Sequence, residues 1–389
     1  MIKPRIIFDK VRPYFDSPEA IIITGMRRTG KTTLLNLFFD KIETKNKTFL
    51  DLENPLNRRY FEEENYERIK TSFELLGIDF SLKSTIFLDE IQFVKNLPSV
   101  VKYFIDHYRV KFFLTGSASF YLKNLFTESL AGRKYIFELF PLTFAEFLLF
   151  KESSIKIPQN TSDVTKAIYE TISPLYDEYI LFGGFPGVVL KTSFEEKKKA
   201  LEEIFTSFYQ LEILQLGDFR KNKVLRDLIL LLTQRLGSKI DIQKISRELG
   251  ISRSTLNEYI AFLEGTFFLK TIRPFTKGKN SEIRKMPKVY LCDSGLARHI
   301  VKLDVGLLFE NSIFQNLRQK GDLNYYQRKK GIEIDFILNG KLAYEVKLTP
   351  QLSDVKKVKR ISRELNLEGF RVIAKNYSEH ENTLYGFML

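Results

Sequence analysis

Short unbroken apolar runs mark the first part of the chain. Glu19–Thr24, Ser84–Glu90 and Lys111–Thr115 carry Ile21-Ile22-Ile23, Ile86-Phe87-Leu88 and Phe112-Phe113-Leu114, the pattern of short buried strands. Leu34–Phe39 continues as a helix. From Glu152 to Asp163 the chain turns polar, as an exposed connection does. Helical patterns then run to about Leu232, broken at Leu181–Gly187 (LFGGFPG), where three glycines and a proline permit either a hinge or a tight turn. The purest aliphatic run, Leu228–Leu232, is far short of the ~18 residues of a membrane span and reads as helix core.

Asp241–Leu249 reads as a capped helix, Gly250-Ile251 as a tight turn, and Ser252 as the cap of a second helix to about Glu264. This is helix-turn-helix logic, with Ile245, Leu249, Leu256, Ile260 and Leu263 closing the core. Arg253, Ser254, Asn257 and Glu258 are left on the exposed side. Two strands follow, Phe267–Ile272 and Lys288–Leu291, and between them Arg273, Lys277, Lys279, Arg284 and Lys285 outnumber a lone Glu282 to make a basic wing.

Leu307–Leu317 has helical periodicity. With Phe309 at zero and ~100° per residue, Ile313 falls near 40°, Leu317 near 80° and Glu310 near 100°, inside the apolar arc. A carboxylate there is costly unless paired or bound to metal.

Next, Ile332, Ile334, Phe336 and Leu338 alternate as one strand and Leu342, Tyr344, Val346 and Leu348 as another, around Asn339-Gly340. A two-residue turn pairs Leu338 with Lys341 and mixes charged and apolar faces. An odd loop or a bulge instead pairs Leu338 with Leu342, Phe336 with Tyr344 and Asp335 with Glu345. Burial selects the second register, which sets Asp335, Glu345 and Lys347 on one face.

Chemistry first emerges where the first strand runs into Gly25-Met26-Arg27-Arg28-Thr29-Gly30-Lys31-Thr32-Thr33, which fits G-x4-G-K-[ST]. Glycines let backbone N–H groups wrap phosphate oxygens, Lys31 places a charge on the terminal phosphates, and Thr32 offers its hydroxyl to Mg2+. The following helix points its positive end at the same anion. ATP with Mg2+ is the expected cofactor pair. Asp89 and Glu90 end the next strand as a Walker B segment does, with Asp89 in the Mg2+ shell and Glu90 polarising the attacking water. Ser117, after the third strand, reads as a polar sensor of the γ-phosphate, and Arg133 as the arginine best able to reach phosphate, in cis or from a neighbouring subunit.

The chain has 61 basic and 48 acidic residues, a net charge of +13, which favours a polyanionic partner. The basic wing suits duplex backbone or groove contacts, so nucleic acid, DNA above all, is the expected partner, with a homo-oligomer or a protein partner as alternatives. Only one cysteine, Cys292, is present, which excludes an intramolecular disulfide and fits a reducing cytoplasm. His107, His299 and His380 are scattered without ligand spacing. Neither a signal-peptide core nor a membrane span is expected.

ITGMRRTGKTTLL, DLENP, FLDEIQ, FLTGSAS, ESLAGR and FPLTFAEFL, followed by LFGGFP, KVYLCDSGL, FENSIFQNL and EIDFIL, resemble a widespread prokaryotic AAA+-type ATPase family whose members carry a further domain of unassigned function behind the ATPase. At the rear, a helix carboxylate, a strand Asp and E-x-K resemble the PD-(D/E)XK nuclease core, as Glu310, Asp335, Glu345 and Lys347. The proline of that pattern is replaced by Ile334. The resemblance implies Mg2+-assisted phosphodiester hydrolysis, with Asp335 and Glu345 on the metal and Lys347 orienting or deprotonating water. The expected architecture is α/β: a P-loop AAA+-type parallel-sheet domain over 1–150, a helical linker or lid over 151–233, a winged helix over 234–300 and a nuclease-like domain over 301–389. Rival readings are an ATP-gated DNA-binding regulator and a signalling or scaffold ATPase, each with a catalytically silent rear domain.

Overall fold

The computed structural model describes residues 3–117, 130–216, 222–276, 286–328 and 331–389. They form two compact units: residues 1–140 with 265–267, and residues 141–264 with 268–389. The first unit ends at Phe140, and the linker, helix-turn-helix and rear segments lie in the second unit.

The first unit is built on five parallel strands, β1 Ala20–Thr24, β2 Lys47–Asp51, β3 Thr85–Asp89, β4 Lys111–Gly116 and β5 Lys134–Glu138, in the order β2-β3-β4-β1-β5. Both faces are covered, which is why the strands read as unbroken apolar runs. Ile21, Ile23, Phe87 and Phe113 pack on one face with Leu34, Leu35 and Phe38 of helix Lys31–Lys41. Ile22, Ile86, Leu88, Phe112 and Leu114 pack on the other with Val101 and Phe104 of helix Leu97–Tyr108. Because all strands are parallel, Thr24, Asp89 and Gly116 end at one edge of the sheet.

In the second unit, helices Ile242–Glu248 and Arg253–Gly265 follow their expected caps: Asp241 accepts from the N–H groups of Gln243 and Lys244, and the Ser252 hydroxyl from that of Thr255. Strands β6 Leu269–Ile272 and β7 Lys288–Leu291 pair antiparallel. Lys277, Lys279, Glu282, Arg284 and Lys285 of the basic wing lie outside the described residues. Among the described residues no helix is long and apolar enough to cross a membrane.

The segment at Leu181–Gly187 is a turn anchored by its neighbours. Gly183 ends helix Lys166–Phe182 at φ 76°, and the buried carboxylate of Asp293 accepts from the N–H of Gly184 (2.7 Å), from that of Leu296 (2.9 Å) and from that of Gly295. Added Cβ atoms would stand 1.9 Å from Asp293 Oδ1 at Gly183, 2.3 Å from the Leu142 carbonyl oxygen at Gly184 and 2.1 Å from the Phe182 carbonyl at Gly295. The glycines are there for close approach, so the hinge alternative gives way to the tight turn.

The rear sheet runs β12-β11-β10-β9-β8, from β8 Leu323–Gln327, β9 Glu333–Leu338, β10 Leu342–Lys347, β11 Gly369–Ala374 and β12 Thr383–Tyr385. β8, β9 and β10 are antiparallel neighbours, whereas β10–β11 and β11–β12 are parallel. The β9–β10 register is Leu338↔Leu342, Ile337↔Ala343 and Phe336↔Tyr344, the odd-loop alternative. The loop is Asn339-Gly340-Lys341, with Asn339 and Gly340 at positive φ and Asn339 fastened to the backbone of Asp322. The charged face is not left to solvent: Ile337 and Ala343 on it pack with Val355, Val358 and Ile361 of helix Leu352–Glu364.

Candidate phosphate-loop and acidic sites

Gly30 adopts a left-handed conformation (φ 96°) that lets helix Lys31–Lys41 start abruptly at the end of the loop. Arg28 also lies at positive φ and is exposed, whereas Met26 is buried and Thr29 is fully buried. Arg5, which the sequence pattern does not reveal, braces the loop by donating to the carbonyls of Thr29 (2.8 Å) and Phe140 (2.7 Å). Lys31 is buried and folds its ammonium onto the carbonyls of Gly25 (3.0 Å) and Met26 (3.1 Å). Arg27 stands 3.9 Å from Glu53, and Thr33 is exposed on the helix's first turn.

The loop is tied to the next strands by hydroxyls. Thr32 donates to Asp89 Oδ2 (2.6 Å), and Thr115 donates to Asp89 Oδ1. Burial raises the Asp89 carboxyl, opposed by these two hydrogen bonds. Glu90 sits at φ 53°, ψ 49°, a left-handed conformation that costs a non-glycine residue roughly 1–2 kcal/mol. Its carboxylate accepts from Gln92, whose amide also donates to Ser117 (3.0 Å). Lys31, Thr32, Asp89, Glu90 and Ser117 are therefore assembled at one sheet edge, with Gln92 as the link that sequence reading missed. Thr32 and Asp89 present only oxygen, the donor set Mg2+ takes alongside phosphate and water.

Arg133 does not join them. Its carbonyl accepts from the N–H of Ala20 (2.8 Å), at the starting ends of β1 and β5, so about five residues of strand, roughly 16 Å, separate it from the loop. Its guanidinium pairs with Asp106 at 2.7 Å. The cis role expected for it is excluded by strand register.

The second cluster lies in the rear sheet. Glu310, on helix Val305–Leu317, accepts from the Tyr290 hydroxyl (2.7 Å). Lys288, only 4% exposed, pairs with Glu333 and stands 3.9 Å from both Glu310 and Asp335. Asp335 Oδ2 accepts from the N–H of Val346 (2.8 Å). Glu345 is buried and takes Lys347 (2.9 Å) and Lys357 on Oε1, while its Oε2 has no hydrogen-bond partner. The apolar-arc argument for Glu310 holds, but lysines supply most of the compensation. Lys288, Lys357, Tyr290 and Glu333 were missed; the alternation of Lys288 and Tyr290 on one strand face was the available signal.

Burial raises Glu345, with Asp335 adding to it. Burial alone would lower Lys347, but Glu345 and Asp335 hold it above its ordinary value. The orphaned Glu345 Oε2 and the neighbouring Asp335 fit a hard cation held by two carboxylates. No group of three or more His, Cys, Asp or Glu suited to a metal occurs among the described residues.

Burial, then Asp335, pushes Glu310 up to about 7. The folded protein keeps this proton where the unfolded chain, titrating near 4.5, has released it, so stability present below pH 4.5 is lost as pH rises to about 7. Unfolding followed from pH 4 to 8 should show wild type losing stability relative to Glu310→Gln up to about pH 7 and running parallel above it.

Residues 17–148 match the family model of an AAA domain, and residues 173–306 that of a domain of unknown function. The parallel sheet and the phosphate loop of the front unit agree with the first match, that of an AAA domain. Over nearly its whole length the chain is similar to an uncharacterized protein of Methanocaldococcus jannaschii, 28% identical over 379 residues, covering 92% of this chain and 82% of that protein. An uncharacterized protein of Haemophilus influenzae is 26% identical over 351 residues, covering 87% and 84%. Among solved structures, the Aeropyrum pernix ORC2 protein in its ADP form aligns with a TM-score of 0.36 at 12% identity, covering 81% of this chain and 92% of that one. The Aeropyrum pernix ORC1 protein in complex with DNA aligns with a TM-score of 0.34 at 13% identity, covering 76% and 90%.

Proposed function

We infer that the protein is an ATP-hydrolysing switch that controls engagement of nucleic acid by its rear unit. The observation that carries the first half is the Thr32–Asp89 hydrogen bond at the sheet edge that also holds Lys31, Glu90 and Ser117. Thr32 and Asp89 would hold Mg2+ there, and the ion would supply neutralisation of phosphate charge. Lys31 exchanges its loop carbonyls for phosphate oxygens, and Glu90 orients the attacking water and draws on its proton. Gln92 couples Glu90 to Ser117, so a change at the γ-phosphate reaches both.

For the rear unit, the order of elements (helix, three antiparallel strands, helix, parallel strand) and the carboxylates of Glu310, Asp335 and Glu345 with Lys347 support a PD-(D/E)XK-like domain that hydrolyses phosphodiesters. In that reading Asp335 and Glu345 hold Mg2+, and Lys347 balances charge on the phosphate. The winged helix would meet duplex DNA through Arg253, Ser254, Asn257 and Glu258, which are all exposed. Lysine compensation of the acidic cluster favours a second reading, an ATP-gated DNA-binding regulator whose rear domain is silent.

Cleavage assays separate the two. Incubation with duplex DNA, single-stranded DNA and RNA, with and without ATP and Mg2+ or Mn2+, should give metal-dependent degradation that falls at least about 100-fold in Asp335→Ala and Glu345→Ala. Binding without degradation supports the regulator. Absence of nucleic-acid binding at every salt concentration points to a protein partner and a scaffold role.

A further inference from the structure

The second unit contains a cavity used by neither site. Its volume is about 550 Å3, within the range of small-molecule sites. Its walls come from the last turn of helix Lys166–Phe182, from helices Phe194–Ser207 and Ser294–Ile300, and from the start of helix Val305–Leu317. Leu181 and Gly295 line it, so the turn locked by Asp293 forms part of its wall.

Two features coexist there. Phe182, Phe194, Leu201 and Leu308 provide an apolar surface, and Phe194 is 55% exposed. Lys198, Arg298 and Lys302 line the same space, and among the described residues none of them forms an ion pair with a carboxylate. Arg298 is held in place by the Phe182 and Phe194 rings, 5.5 and 5.9 Å from its guanidinium carbon, and by the Leu181 carbonyl at 3.4 Å. The nearby acid that acts on the lining is Glu202, through His299.

A simple inorganic anion would satisfy the cations and leave the apolar wall wet. A cationic amphiphile would cover the wall and meet like charge. Both requirements are met by an apolar body carrying an anionic head.

We propose that this cavity binds a small organic anion, with its apolar body against Phe182, Phe194 and Leu201 and its carboxylate or phosphate head toward Lys198, Arg298 and Lys302. Such a ligand bears on the Gly183–Asp293 turn directly, because Phe182 and Gly295 belong to both.

The test is calorimetric titration of the full chain with octanoate, octylammonium and inorganic phosphate. Octanoate is expected to saturate at one per chain, and both other probes to bind at least about 10-fold more weakly. Lys198→Gln with Lys302→Gln should weaken octanoate about 10-fold while leaving the thermal unfolding transition in place. Octylammonium binding as tightly as octanoate, octanoate binding unchanged in the double variant, or no saturable octanoate binding would each overturn the proposal.

Discussion

Glu90→Gln is expected to lower ATP turnover about 100- to 10,000-fold, the range for a lost general base, while leaving ATP affinity within a few-fold of wild type. The amide keeps the size of the side chain and its contact with Gln92, and loses only the charge that draws on the water's proton. Because Glu90 is held in a left-handed backbone conformation between Asp89 and helix-forming Ile91–Phe93, its carboxylate has a fixed starting point. Steady-state turnover with a parallel nucleotide-binding titration checks this. Retained turnover would move the base elsewhere, and lost binding would make Glu90 a structural residue.

The second large effect concerns stability. Asp293→Ala leaves the buried N–H groups of Gly184, Gly295 and Leu296 without their acceptor, at about 1–3 kcal/mol each before relaxation, so a total loss of about 3–5 kcal/mol is expected. Burial pushes this carboxyl up to about 6, yet three backbone donors hold it in place. Gly295→Ala should cost a comparable amount, because its Cβ would meet the backbone of Phe182 rather than a flexible side chain. Urea unfolding followed by circular dichroism measures both. A loss below about 1 kcal/mol for Asp293→Ala would mean that the turn is held by something else.

How much of this was readable depends on the range of the interaction. The phosphate loop, the Asp89-Glu90 strand end and the β9–β10 register follow from local patterns: glycine spacing, burial on both faces, and the parity of Leu338 and Leu342 across an odd loop. Glu310 was legible because a helix fixes the angle between neighbours. Lys288 was not, since it reaches Glu333 from a strand some 45 residues earlier, and no local pattern joins them. The position of Arg133 was hidden for the same reason: strand order and direction, not the ESLAGR motif, place it at the far end of the sheet from the loop of its own chain. The glycines at 183 and 184 signalled a special backbone, but only Asp293 distinguishes a locked turn from a hinge.

One measurement bears most directly on the central claim: Mg2+-dependent ATP turnover of wild type beside Lys31→Ala in the same assay. Lys31 is the one side chain that moves from the loop carbonyls of Gly25 and Met26 to the phosphates in this account. Wild type should hydrolyse ATP and Lys31→Ala should fall to background. Equal turnover in the two proteins would contradict the account.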